Sequence, residues 1–301
     1  MIHLQYMPIY KINSNKAHQL NLKQNGFGNE FALRDFFAEN DNLYDLLGIK
    51  FLAKEYQIPN GRMDTIGIDE NGSPVIIEYK WKENDDVLSQ GLFYLDWLKN
   101  NKPHFELLVK NKLGNDMEVV WNKPRVILIA QGFNRYIKSA VRTIHNVELK
   151  TYNVYEDDIL QIENEYSPYP EVIKSIKQVV GENEEEQIYN LEYHLNLTSV
   201  TLKEKFEEIR EMLLQLPNVE ELSEQKSGIT YRTTKSFTRF EFRGGSIQIL
   251  VREPKYDIDT NNLVKDVTNN KWGYLGAIKF TEDMSIALVS EIIKSSYNST
   301  L

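Results

Sequence analysis

The chain has 301 residues, 41% of them hydrophobic, and a formal net charge of −9. This composition can bury the core of one large domain or two ordinary ones. Because the chain has no cysteine, disulfides, thiolate zinc sites and cysteine nucleophiles are excluded, and oxygen or histidine ligands would have to bind any metal. No run approaches the roughly 18 apolar residues of a membrane helix, and the first residues do not resemble a signal peptide, so we expect a cytoplasmic protein.

The two signs of charge are segregated along the chain. Ten lysine and arginine residues but four acidic residues lie between Trp97 and Lys150, whereas acid is concentrated from Glu156 to Glu186. A basic N-terminal half could hold a phosphate backbone although the whole chain is acidic. The alternative is a basic face that only contacts solvent.

In the first half, apolar spacing and turn residues predict an alternation of helices and strands. The predicted elements are one or two helices over Asn29–Leu47, two strands flanking a turn at Asp69–Gly72, a helix over Asp85–Leu98, a buried strand at Val126–Ala130, a helix over Phe133–Ile144 and a strand at Val147–Tyr155. This order predicts an α/β domain.

The acidic segment from Glu156 to Gln187 separates this region from a second one. We therefore place a first domain at residues 1–160, an acidic or helical connection at 161–195 and a smaller α+β domain at 196–301. The second domain is predicted to contain a helix over about Thr201–Leu216 and two strands joined by Gly244-Gly245, a favoured hairpin turn. A further strand precedes a last helix, which Thr281 is predicted to cap.

Three polar residues interrupt the apolar strands of the first hairpin. Side chains alternate along a strand, so Glu78 and Lys80 share one face of VIIEYK. Folding the hairpin about its turn can bring Asp64 of GRMDTIGI alongside Glu78. Two carboxylates and an ammonium then converge, which is costly in an apolar strand unless they pair or bind a charged ligand.

This set of groups is suited to phosphodiester hydrolysis. Asp64 and Glu78 could hold a divalent cation that neutralises the phosphate and lowers the pKa of a bound water. Lys80 could position or activate that water, or stabilise charge in the transition state, and the sequence does not separate these roles. The alternative is an inert network of salt bridges.

GRMDTIGIDENGSPVIIEYKW, the following helix and NEFALRDFF upstream resemble the PD-(D/E)XK nuclease superfamily, most of all its NucS-like and restriction-endonuclease-like branch. The resemblance covers about residues 25–155 and implies a central mixed sheet flanked by helices, with magnesium or manganese at the site. It matches Asp64, Glu78 and Lys80 to the core motif, with Met63 where the family has proline. It also matches residues on two helices: Glu30 as an accessory acid, Gln90 and Tyr94. For these three residues, an ordinary first-turn acid and a half-exposed helix face are the alternatives.

The resemblance implies a metal-dependent endonuclease in DNA repair, restriction or phage defence, with DNA favoured over RNA. Cutting two strands with one site per chain calls for two chains, so a homodimer is one expected assembly. Candidate nucleic-acid contacts are Arg62, Lys82, Tyr94, Arg135 and Lys138.

The second region, from about Leu197, resembles a domain of unknown function sometimes labelled a predicted transport protein. We discount transport because no segment could span a bilayer. Two other functions stay open: a nucleic-acid-binding module without catalysis, and a regulator that senses a ligand or protein through the C-terminal domain.

Overall fold

A computed structural model describes residues 8–24, 26–81, 86–114, 117–121, 123–167, 189–268 and 273–301. The chain forms two compact units. The first unit consists of Met1–Leu43, Phe51–Ile68 and Pro74–Pro168. The second consists of Tyr44–Lys50, Asp69–Ser73 and Tyr169–Leu301. Two short segments of the N-terminal half are thus part of the second unit.

Helices and strands alternate in the N-terminal half, as the sequence predicts. The helices are α1 (Glu30–Ala38), α2 (Asn42–Leu47), α3 (Val87–Asn100), α4 (Lys102–Leu113) and α5 (Arg135–Ala140). The strands are β1 (Tyr10–Asn13), β2 (Lys16–Gln19), β3 (Ile49–Ile58), β4 (Gly61–Asp69), β5 (Pro74–Lys80), β6 (Arg125–Ala130), β7 (Val147–Val154) and β8 (Leu160–Tyr166).

A mixed sheet is the centre of the first unit, and among the described residues its strand order is β3-β4-β5-β6-β7-β8. Strands β5, β6 and β7 run parallel to one another, whereas β4 is antiparallel to β5 and β8 is antiparallel to β7. Leu95 and Leu98 of α3 belong to a core that includes Ile76 of β5. The ring of Phe37 on α1 lies 5.4 Å from that of Tyr79. Helices therefore cover β5, and the predicted mixed sheet flanked by helices is confirmed.

Strand β3 is not predicted by the apolar pattern, because its polar residues do not alternate regularly with its apolar ones. Glu55 breaks the alternation, since its φ of +52° is left-handed in the middle of an otherwise extended segment. Such a residue changes the direction of the side chains around it. Helix α4 is also missed, because Pro103 near its start reads as a break although proline is tolerated in a helix's first turn.

The second unit is α+β, as predicted. Its helices are α6 (Leu191–Leu195), α7 (Val200–Leu214) and α8 (Ile286–Asn298), and its strands are β9 (Glu220–Gln225), β10 (Gly228–Arg232), β11 (Ser236–Arg243), β12 (Ser246–Val251), β13 (Lys265–Asp266) and β14 (Gly276–Phe280). Among the described residues, these strands form an antiparallel sheet in the order β13-β14-β12-β11-β10-β9.

Local patterns in the second unit are mostly confirmed. Arg243 pairs with Ser246 across the predicted Gly-Gly turn. The prediction that Thr281 caps the last helix is wrong. The Thr281 hydroxyl donates to Asp283, and α8 is capped by Ser285, whose hydroxyl accepts from the Ala287 amide at 3.3 Å. A cap must accept from the first turn, and TEDM forms a turn of its own instead.

Within the ranges that the structure describes, none of the helices combines the length and the apolar character that crossing a bilayer requires.

Candidate active site

The antiparallel pairing of β4 and β5 holds Asp64 next to Glu78. Thr65 pairs with Ile77, so the next residues outward along the two strands are Asp64 and Glu78. The Asp64 amide donates to Glu78 Oε1 at 3.1 Å, and the Tyr79 amide donates to Asp64 Oδ2 at 3.1 Å. Because each carboxylate accepts from the backbone of the opposite strand, both are held at the same end of the hairpin.

Helix α1 brings a third acid to the same place. Asn29 caps this helix by accepting from the Ala32 amide at 2.8 Å, which makes Glu30 the first helical residue. Lys80 at the end of β5 then pairs with Glu30, with Nζ 2.9 Å from Oε1. Asp64, Glu78, Lys80 and Glu30 therefore converge, although they are separated by up to 50 positions in the chain.

The electrostatics of this cluster favour binding a cation. Burial, together with the neighbouring Asp64 carboxylate, raises the pKa of Glu78 to about 9. Burial likewise raises the pKa of Asp64, against the opposing effects of the Tyr79 amide and the Lys80 ammonium. The pKa of both carboxylates is raised although Lys80 is close, so a further positive charge would favour their ionised forms.

Two carboxylates are a suitable protein contribution to a magnesium site. Magnesium is commonly held by one or two carboxylates, with water and substrate phosphate oxygens completing its octahedron. Glu30 faces the Lys80 ammonium, and within the described residues no group of three or more acidic or histidine side chains is arranged to hold a metal. The donor set therefore fits a hard cation that also needs substrate oxygens, and it does not fit a closed structural site.

The two candidate residues on α3 differ in burial. Tyr94 is buried, and its hydroxyl accepts from the Arg62 amide at 3.3 Å. A Cβ added at Gly61 would lie 2.6 Å from the Tyr94 ring, which explains the glycine before Arg62. Gln90 is exposed on α3.

The remaining candidates for nucleic-acid contact have local partners or lie outside the described residues. Arg135 lies over the ring of Tyr136, and Lys138 pairs with Glu165 at 2.6 Å. Lys82 falls outside the described residues. The roles of these residues stay predictions.

A second charged cluster, centred on Arg34, was not anticipated from the sequence. Arg34 lies one turn after Glu30 on α1, and its guanidinium is 2.9 Å from both Asp35 Oδ1 and Glu55 Oε1. The same two oxygens also bind exposed cations, because Asp35 Oδ1 is 3.0 Å from Lys54 Nζ and Glu55 Oε1 is 3.0 Å from Arg62 Nη1. Glu55 thus joins the buried Arg34 to the exposed Arg62.

We expect Arg34→Met to lower the free energy of unfolding by roughly 1–3 kcal/mol, because two carboxylates would lose their shared buried cation. Urea unfolding of wild type, Arg34→Met and Lys54→Met measures this. Lys54→Met is the control, since Lys54 is exposed and its ion pair with Asp35 is open to solvent. Equal, small losses in both variants would contradict a central role for Arg34.

Comparison with known proteins finds a related domain in the first half of the chain. A family model described as the Endonuclease NucS C-terminal domain matches residues 29–151, which include all four clustered residues. A Haemophilus influenzae protein described as uncharacterized is 30% identical over 308 residues, covering 94% of this chain and 99% of that protein. The chain belongs to the family of that protein.

Other matches are confined to part of the chain. Endonuclease NucS of Methanocaldococcus jannaschii is 32% identical over 89 residues, which are 29% of this chain and 32% of that protein. Among solved structures, a repair endonuclease from Pyrococcus abyssi aligns with a TM-score of 0.27 and 23% identity, over 39% of this chain and 43% of that one. The family model alone relates residues 29–151 of this chain to the NucS C-terminal domain, and the chain spans about a third of the NucS protein it matches.

Proposed function

We propose that this family member is a metal-dependent endonuclease of the PD-(D/E)XK type that hydrolyses phosphodiester bonds in DNA. The observation that carries the proposal is the convergence of Asp64, Glu78 and Lys80 within the segment related to the NucS C-terminal domain. The choice of DNA over RNA depends on that relationship.

Each group in the site has a role that follows from its chemistry. Asp64 and Glu78 are suited to hold magnesium or manganese, which when bound would neutralise a scissile phosphate and lower the pKa of an attacking water. Lys80 faces Glu30 as an ammonium, which has protons to donate but no lone pair to accept one. We therefore assign Lys80 to stabilising charge on the phosphate oxygens rather than to acting as a base. Glu30 would hold the Lys80 ammonium in place.

Cleavage assays with defined substrates test the proposal. Single-stranded, duplex and branched DNA, with RNA for comparison, are incubated with wild type and Asp64→Ala in magnesium, manganese or EDTA. We expect cutting of DNA that requires metal and is abolished in Asp64→Ala. Binding of DNA without cutting under every condition would instead favour a nucleic-acid-binding module. A homodimer and a cytoplasmic location stay predictions.

A further inference from the structure

The turn that joins the two acid-bearing strands is buried in the second unit. DENG in the sequence indicates a turn, and such turns are normally on the surface. Instead, Asp69, Glu70, Asn71 and Ser73 are each at most 7% exposed. Residues Asp69–Ser73 belong to the second unit, together with Tyr44–Lys50 and the C-terminal part of the chain. This turn is therefore part of a core and not a free loop.

The Glu70 carboxylate is the main anchor of the turn. It forms a salt bridge with Arg252, accepts from the Ser236 amide at 2.7 Å and accepts from the Tyr44 hydroxyl at 3.0 Å. Glu70 is 2% exposed, so removing Arg252 would leave a poorly solvated carboxylate without the countercharge of this salt bridge. Three donors from separate parts of the second unit fix the position of this side chain.

Hydrogen bonds also hold the other residues of the turn. Arg239 Nη2 donates to the Glu70 carbonyl at 3.3 Å and to Asn71 Oδ1 at 3.1 Å. The Asp69 carboxylate closes the turn internally by accepting from the amides of Asn71 and Ser73, at 2.8 and 2.9 Å. At Gly273, an added Cβ would lie 2.1 Å from the Tyr44 hydroxyl, so the surroundings of Glu70 leave no room for another side chain.

The position of the turn controls the relative placement of the two site carboxylates. Asp64 lies on β4, five residues before Asp69 at the end of that strand. Glu78 lies on β5, five residues after Ser73, which immediately precedes the strand. Hairpin register is set by the turn, and a slip of one residue would move a side chain to the opposite face of the sheet. Holding the turn in one conformation therefore keeps Asp64 opposite Glu78.

We propose that Glu70 and Arg252 are positioning residues for the nuclease site, and that the C-terminal part of the chain serves to hold the turn between the two acid-bearing strands. This inference depends on the proposed function for its consequence in catalysis. It assigns the C-terminal part a mechanical role that requires no ligand of its own.

Hydrogen exchange of the full chain, followed by mass spectrometry, tests the proposal through the amides of β4 and β5. The variants are Glu70→Gln, Arg252→Met and the conservative Arg252→Lys. The control is Arg210→Met, which removes another partly buried arginine of the second unit, paired with Glu221 at 2.6 Å. We expect exchange in β4 and β5 to accelerate about tenfold or more in Glu70→Gln and Arg252→Met, with partial rescue in Arg252→Lys and no change in the control.

Magnesium-dependent cleavage by the same proteins gives a second readout. We expect kcat to fall about tenfold or more in Glu70→Gln and Arg252→Met, with a smaller change in KM, because the changes act through the positions of Asp64 and Glu78. Unchanged exchange in β4 and β5 of Arg252→Met would overturn the proposal, as would equal acceleration throughout the chain in Arg252→Lys. If wild type itself does not cleave DNA, the proposed function fails, whereas the exchange data still decide whether Glu70 and Arg252 hold the hairpin.

Discussion

Asp64→Asn and Glu78→Gln are each expected to reduce metal-dependent DNA cleavage by about 10³-fold or more while the chain remains folded. Either change removes one of two carboxylates available to a cation at the end of the β4–β5 hairpin. Stabilisation of a transition state by a metal is worth several kcal/mol, and each 1.4 kcal/mol corresponds to about tenfold in rate. Initial rates of cleavage at saturating magnesium measure the effect.

Thermal unfolding separates loss of metal binding from loss of folding in these variants. In EDTA we expect melting temperatures at or above that of wild type, because burial disfavours the charged forms of both carboxylates and the Asp64 carboxylate adds to this effect at Glu78. Addition of magnesium should raise the melting temperature of wild type but not that of either variant. Asp96→Asn, an exposed acid on α3, is the matched control and should behave as wild type. A variant that retains both cleavage and its response to magnesium would show that its carboxylate is not a metal ligand.

Lys80→Met is expected to lower cleavage by roughly 10²–10³-fold, the magnitude found when one electrostatic donor to a transition state is removed. The response of the melting temperature to magnesium should persist, because Lys80 is not assigned to the metal. Glu30→Gln should cause a smaller loss, since the amide can still accept from Lys80 but no longer offers a counter-charge at 2.9 Å. Single-turnover cleavage with excess enzyme measures the rate of the chemical step separately from product release.

Lys99→Met provides the control for removing a positive charge, because Lys99 is exposed at the end of α3. Its cleavage rate should stay within about twofold of wild type, because solvent and salt screen an exposed charge and its effect on the reaction is small. If Lys80→Met lost its response to magnesium as well, Lys80 would act on the metal site itself, and the assignment to charge stabilisation would be wrong.

The sequence predicts best which residues come together when they are close to one another in the chain. Strand alternation put Glu78 and Lys80 together, and the DENG turn brought Asp64 alongside, because both inferences depend on the period of a strand and the length of a turn. The burial of Leu202, Phe206, Ile209 and Leu213 on α7 follows from helical spacing in the same way.

The long-range partners were decided by tertiary structure. Arg34 and Glu55 are 21 positions apart, and Glu70 and Arg252 are 182 positions apart, so no periodic pattern links either pair. A charged turn read in isolation is expected to face solvent, and the burial of Glu70 depends on donors supplied by chain segments that fold against it. The sequence by itself determined the type of hairpin and the acids on it, because these depend on local backbone geometry. Only the tertiary structure decided which distant charges hold that hairpin in place, because ion pairing depends on which segments meet in space.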